Sequence, residues 1–307
     1  MTHKHVNYDL ETFIYLLLIA IFSIIFNFSV CFKIYSNKKR SLVYSLIATQ
    51  CISDLILGAC LLITFLICTK FFTELNRFTL FLCEISNITR IATCYVSVYT
   101  MGAIAIERYL KLYEYNEKIR KIYKKYIIAT VWLVATLDAT LDMIGGHVQI
   151  FFGEAESECH LVFEEIADYY FFKQKISKII TFFIFLFIGI LITIIYYKLI
   201  KLIKKINKMA VTEAEVQKSA ARWRTLKMLV AVVISFYVFQ APIVALTVVY
   251  HFSGGQLHDC EQGHLAETDH NVMLVVGCFY LFNCVVNPLI LMFFNEKLRI
   301  KWRDLIK

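Results

Sequence analysis

The sequence predicts an all-α membrane protein: a seven-transmembrane helix bundle followed by a short amphipathic C-terminal helix. Three observations predict it. First, seven long apolar stretches divide the chain, near 12–35, 42–68, 80–110, 126–149, 176–200, 225–252 and 271–293. A hydrocarbon core about 30 Å thick takes about 20 apolar residues of helix to cross, and a helix satisfies its own backbone where no water is present. Second, hydrophobic residues make up 59% of the 307 and charged residues 18%, with a mean hydropathy of +0.64. Soluble domains carry about 25% charged residues. Third, 25 of the 32 Lys and Arg fall on alternate connections and the C-terminal tail. Positive residues favour the cytoplasmic side, so the N-terminus is expected outside and the C-terminus inside.

Each element follows from local sequence. A polar tail, 1–11, precedes the first span. The apolar run after it is too long for the core of a cleavable signal peptide, so span one is expected to act as its own insertion signal. Lys38, Lys39 and Arg40 separate span one, with Asn27 inside it, from span two, which holds Asp54. Span three carries Cys83 near its outer end, Arg90 within, and Ile106-Glu107-Arg108-Tyr109 at its inner edge. Lys118, Arg120, Lys121, Lys124 and Lys125 lead into span four, which holds Trp132, Asp138 and Asp142. Span five ends near Tyr196 and runs into a basic linker, 201–224, expected to continue the flanking helices. Both prolines of the chain lie deep in spans six and seven, as Pro242 and Pro288, where each removes a backbone hydrogen bond and kinks its helix. The transmembrane body is read as 12–293. Residues 294–307, directly after Phe293, place Phe294, Leu298, Ile300, Trp302 and Leu305 among Lys and Arg, the pattern of a helix lying flat on the membrane. No repeat, low-complexity segment or second domain is evident.

Of ten cysteines, Cys31, Cys51, Cys60, Cys94, Cys278 and Cys284 lie in spans, where a thiol behaves as a small apolar group. Cys83 and Cys159 face the oxidising exterior, where a bridge is permitted. Cys260 is also external and is read as free. The net charge of +8 would suit nucleic acid, but its one-sided distribution belongs to membrane topology. No nucleophile–base set, nucleotide-binding loop or compact Cys/His metal spacing appears, so an enzyme is not expected.

Asn27, Asp54, Arg108, Trp132, Phe236 with Pro242, and Asn287-Pro288 stand in order in six of the seven spans. Together they resemble the rhodopsin-like (class A) G protein-coupled receptors over nearly the whole chain, with a peptide-receptor cast. The resemblance implies roles. Glu107 and Arg108 would form an ionic pair at the inner face that opens toward a G protein, with Tyr109 beside it and Tyr196 of span five in reach. Asp54, Ser97, Asn283 and Asn287 match the positions expected around a buried allosteric sodium ion. The alternative is a protonated Asp54 bonded to the asparagines. Cys83 and Cys159 would form a disulfide pinning the outer loop. The chain departs from the family pattern at Ile188, where a proline is expected, at Gln240, where a tryptophan is usual, and at Leu291, where a tyrosine is usual.

The ligand pocket is expected to open outward among spans three, five, six and seven, with Arg90, Gln240 and Asp142 as binding residues. Arg90 occupies the place of the aspartate in amine receptors and Leu281 that of the retinal-binding lysine of opsins, so neither ligand suits. Arg90 reads either as an anchor for an acidic ligand group or as an internal partner of Asp138 or Asp142. An acidic outer loop, with Glu154, Glu156, Glu158, Glu164, Glu165 and Asp168, reads as solvated or as steering a cationic peptide. His251, His258, His264 and His270 flank the third outer loop without a metal spacing. The expected partners are an extracellular peptide or acidic small molecule, a heterotrimeric G protein and membrane lipid, at the plasma membrane. The alternatives are a receptor-like protein with constitutive or lost signalling, given Gln240 and Leu291, and a transporter or channel using the buried aspartates.

Overall fold

The computed structural model describes residues 10–36, 41–68, 77–112, 117–145, 168–209, 212–252, 263–295 and Leu298. They form seven α-helices: α1 (Leu10–Ser36), α2 (Leu42–Cys68), α3 (Arg77–Leu112), α4 (Glu117–Gly145), α5 (Asp168–Met209), α6 (Glu213–Phe252) and α7 (Gly263–Phe294). Each coincides with one predicted span. Five are long and apolar enough to cross a bilayer over their described residues, and α4 has a shorter apolar stretch, Tyr126–Thr140. Neighbours in sequence pack side by side, α7 closes the ring against α1, and α3 runs through the middle in contact with α2, α4 and α5.

The helices are longer than their apolar runs. Over its described residues, the linker 201–224 is the C-terminal end of α5 and the start of α6, as expected. Thr212 begins α6 with a reciprocal cap: its backbone N–H donates to Glu215 Oε2 at 3.2 Å, and the Glu215 N–H donates to Thr212 Oγ1 at 3.3 Å. Two otherwise unpaired donors of the first turn are satisfied this way. On the α5 extension Leu199 and Ile203 are buried in the bundle core.

Helix α1 shows how lipid and protein faces are sorted. Ser23, Asn27, Val30 and Ile34 are buried along one stripe, while Ile21, Ile25, Phe28 and Phe32 are exposed along the opposite one. Hydrocarbon accepts the apolar side chains, so the polar ones turn inward to find partners. Gly58 of α2 lets α1 approach closely. A Cβ there would lie 3.0 Å from Ile24 Cγ1 and 3.2 Å from the Ala20 carbonyl oxygen.

Pro288 produces the most informative contact. Lacking an N–H, it leaves the Cys284 carbonyl, four residues back, without its helical donor. Asn27 Nδ2 of α1 donates to that carbonyl at 2.9 Å and to the Ser23 carbonyl at 2.9 Å. One amide ties α1 to the broken turn of α7. The bridge to Cys159, the acidic loop, Cys260 and His258 lie outside the described residues, and so does the tail helix apart from a turn in which Leu298 N–H donates to the Asn295 carbonyl at 2.9 Å.

Asn27→Ala should lower stability by about 1–3 kcal/mol, since it strands a buried carbonyl, and Gly58→Val should cost about as much through overpacking. Thermal melting of the purified protein in lipid nanodiscs checks both, and an unchanged midpoint would contradict the corresponding contact.

Candidate functional site

An ionised or polar group inside hydrocarbon is costly unless it is paired within the bundle. The polar residues of the spans accordingly gather on the inside. Ser23, Asn27, Ser53, Asp54, Thr93 and Ser97 are all buried, as are Asn283 and Asn287. Ser23 Oγ donates to the Asp54 backbone carbonyl at 3.0 Å, and Ser53 Oγ to the Thr93 carbonyl at 2.9 Å, so the backbone around Asp54 is held from both sides.

Asp54 itself is 3% exposed, and its Oδ2 has no hydrogen-bond partner; neither has Asn283 Oδ1. Both residues line a small cavity of about 10 Å³ with Thr93, Ser97 and Gln240. Two unpaired buried acceptors, one of them a carboxylate, facing a space the size of one water or ion, form a set suited to a hard cation. Three of the four predicted ion-site residues are therefore brought together. Asn287 differs. Its amide lies beside the Asp54 carboxylate, but it is not part of the cavity lining, and its Oδ1 accepts from Ser235 Oγ at 3.4 Å. A hydroxyl from α6 competes for the oxygen that the sequence suggested for the ion.

Glu107 and Arg108 end the membrane part of α3. Arg108 Nε lies 4.0 Å from Glu107 Oε2, with the two side chains 23% and 4% exposed. This is a charge contact at the limit of ion pairing. Tyr196 of α5 is buried and close enough to feel the Arg108 charge. Tyr109 is half-buried against the core.

The outer residues are placed less completely. Arg90 is half-buried near Cys60 and Tyr280. Asp138 does not need it: the Asp138 carboxylate accepts a hydrogen bond from the Tyr99 hydroxyl of α3. The Asp142 side chain lies outside the described residues. Gln240 is buried, accepts from Cys94 Sγ at 3.7 Å, and lines the Asp54 cavity. It thus belongs to the Asp54 cavity, where the sequence placed it only in the ligand pocket. Thr93, Cys94 and Tyr280 also line this cavity and were missed. Helical spacing was the available signal: Thr93 stands one turn before Ser97, and Tyr280 one turn before Asn283.

The family model for the seven-transmembrane receptor (rhodopsin family) matches residues 26–291. The chain belongs to the rhodopsin family of seven-transmembrane receptors. Among individual relatives, the RYamide receptor of Drosophila melanogaster is 33% identical over 124 residues, covering 39% of this chain and 26% of that receptor. The type-1 angiotensin II receptor A of Xenopus laevis is 24% identical over 315 aligned positions, covering 97% of this chain and 81% of that receptor. The pig type-1 angiotensin II receptor is 26% identical over 74% of this chain and 61% of its own length. The match to the fly receptor therefore spans about a quarter of that protein.

For a rhodopsin-family receptor the interior of α6 and α7 matters most, and here it is aromatic. Phe236 is fully buried, with ring centroids 6.2 Å from Phe185 and 5.5 Å from Tyr237. The Phe239 and Phe279 rings meet at a tilt of 47°, centroids 4.5 Å apart. The receptor framework supersedes the transporter reading of the aspartates, since Asp138 is engaged by Tyr99 and Asp54 belongs to a closed cluster.

Tyr99→Phe removes the donor to a half-buried carboxylate and should lower the melting temperature of the purified receptor by a few degrees, while Asp138→Asn, which keeps a hydrogen-bonding group, should cost less. Equal melting of Tyr99→Phe and the natural receptor would contradict this.

Proposed function

We propose that this rhodopsin-family receptor carries the binding of an extracellular peptide to a heterotrimeric G protein. The observation that carries the reading is the placement of two buried charge centres on or against one central helix. Asp54 packs against α3 at Ser97 and Thr93, and Arg108 ends the same helix beside Glu107. About 11 residues at 1.5 Å each, roughly 16 Å, separate Ser97 from Arg108. A shift of α3 against its neighbours is felt at both. The relatives named for RYamide and angiotensin II support a peptide ligand, and the half-buried Arg90 suits a carboxylate or carbonyl of such a peptide.

At the inner face, Arg108 is the residue offered to the G protein, Glu107 restrains it, and Tyr109 and Tyr196 flank it. Release follows a population shift: a ligand that binds the open form better draws the bundle toward it by that difference in affinity. Around Asp54, the oxygens of Asp54, Ser97 and Asn283 would hold a sodium ion, with Asn287 supporting the carboxylate from the side. Such an ion supplies the positive charge that a buried carboxylate otherwise lacks. The Cys83–Cys159 bridge would fix the outer loop over the ligand pocket.

Arg108→Ala should reduce receptor-driven nucleotide exchange on a heterotrimeric G protein by at least about tenfold at equal surface expression, the loss of about 1.4 kcal/mol of differential stabilisation; unchanged exchange would sink the coupling reading. Replacing choline chloride by sodium chloride should raise the melting temperature of the receptor in nanodiscs, and Asp54→Asn should remove that rise. A sodium-dependent rise that survives in Asp54→Asn would refute the assignment of the ion site.

A further inference from the structure

A buried hydrogen-bonding atom without a partner is uncommon in folded proteins and calls for a reason. Gln50 Nε2 is one, in a side chain only 3% exposed. Gln50 lies on α2 one turn inward of Asp54 and lines a second cavity on the cytoplasmic side of the ion site. The same cavity is lined by Tyr196 of α5, Met101 and Ile104 of α3, Val232 of α6 and Leu291 of α7. Gln50 and Tyr196 are the only polar side chains in its lining. The space, about 10 Å³, takes one water-sized occupant.

We propose that Gln50 and Tyr196 form a polar pair across this cavity, directly or through one bridging water, and that the pair holds the Tyr196 phenol turned inward toward Arg108. The proposal rests on the reading of Arg108 as the G-protein-facing residue. Chemistry favours it on three counts. The orphan amide donor gains an acceptor, which removes the cost of burying it alone. Leu291, on the same wall, has no polar atom with which to hold the phenol. A phenol oxygen held near the guanidinium offers Arg108 an alternative to Glu107, whose contact is already at 4.0 Å. Gln50 is therefore a positioning residue: it acts on the inner face through Tyr196 and raises the population of the form in which Arg108 is available.

The test is a double-mutant cycle on the full-length receptor in nanodiscs, with Gln50→Met, Tyr196→Phe and the double variant read in two ways. Thermal melting, which involves no G protein, should show coupling: the double variant shifts the midpoint by no more than the larger single one. Basal nucleotide exchange on a heterotrimeric G protein should fall several-fold in each single variant and no further in the double. Additive melting shifts would overturn the pair. Coupled melting with unchanged exchange would make it a structural brace and would overturn its role at Arg108. Should natural receptor and Arg108→Ala be equal in exchange, the coupling reading fails on its own, and the melting cycle still decides the pair. Gln50→Leu replaces Gln50→Met if the latter does not fold.

Discussion

Hydrocarbon provides no hydrogen-bond partner, and this constraint organises the whole receptor. Its clearest expression is the amide of Asn27 reaching from α1 to the Cys284 carbonyl that Pro288 leaves without a donor. The same rule draws Ser23 to the backbone of Asp54, Ser53 to the Thr93 carbonyl and Ser86 to the Cys60 carbonyl at 3.1 Å. Side-chain hydroxyls and amides pin α1, α2, α3 and α7 together at their backbones. These bonds involve no charge and no bulky packing, so the helices can approach closely where Gly58 permits. Polar satisfaction and tight packing are one solution here.

That solution leaves polar atoms unpaired at several places among the described residues, and three of them belong to residues that line two small cavities. Asp54 Oδ2 and Asn283 Oδ1 face one cavity, and Gln50 faces another just below it. Two small spaces thus lie against α2 and α3: Asp54, Gln240 and Asn283 line one, and Gln50 and Tyr196 line the other among apolar side chains. Unpaired groups raise the energy of the arrangement that contains them. A protein whose task is to exchange one arrangement for another gains from such near-balance, because a modest difference in ligand affinity can then tip it.

Two of the three family departures, Gln240 and Leu291, line these cavities. Gln240 puts an amide where a bulky indole is usual, and its oxygen takes the Cys94 thiol while the side chain lines the Asp54 cavity. Leu291 makes the α7 wall of the inner cavity apolar, while Gln50 makes the α2 wall polar. The receptor keeps the polar connections of its interior by different residues, which is compatible with signalling through an altered set of contacts.

The seven helices, their order and the polar cluster on the inside were legible in the sequence, because hydrophobic length reports bilayer thickness directly and charged groups in apolar runs are too costly to be incidental. Asp54 stood out for that reason, while Ser97, Asn283 and the role of Arg108 came from the family resemblance. Which face of each helix turns inward was not legible, since a helix apolar all round gives no periodic signal. The tertiary structure decided that Gln240 lines the Asp54 cavity, that Asn287 stands beside it with Ser235, that Tyr99 and not Arg90 holds Asp138, and that Gln50 and Tyr196 line one space. Those outcomes depend on the relative rotation of helices distant in sequence, and rotation is fixed only when side chains from several helices compete for the same volume.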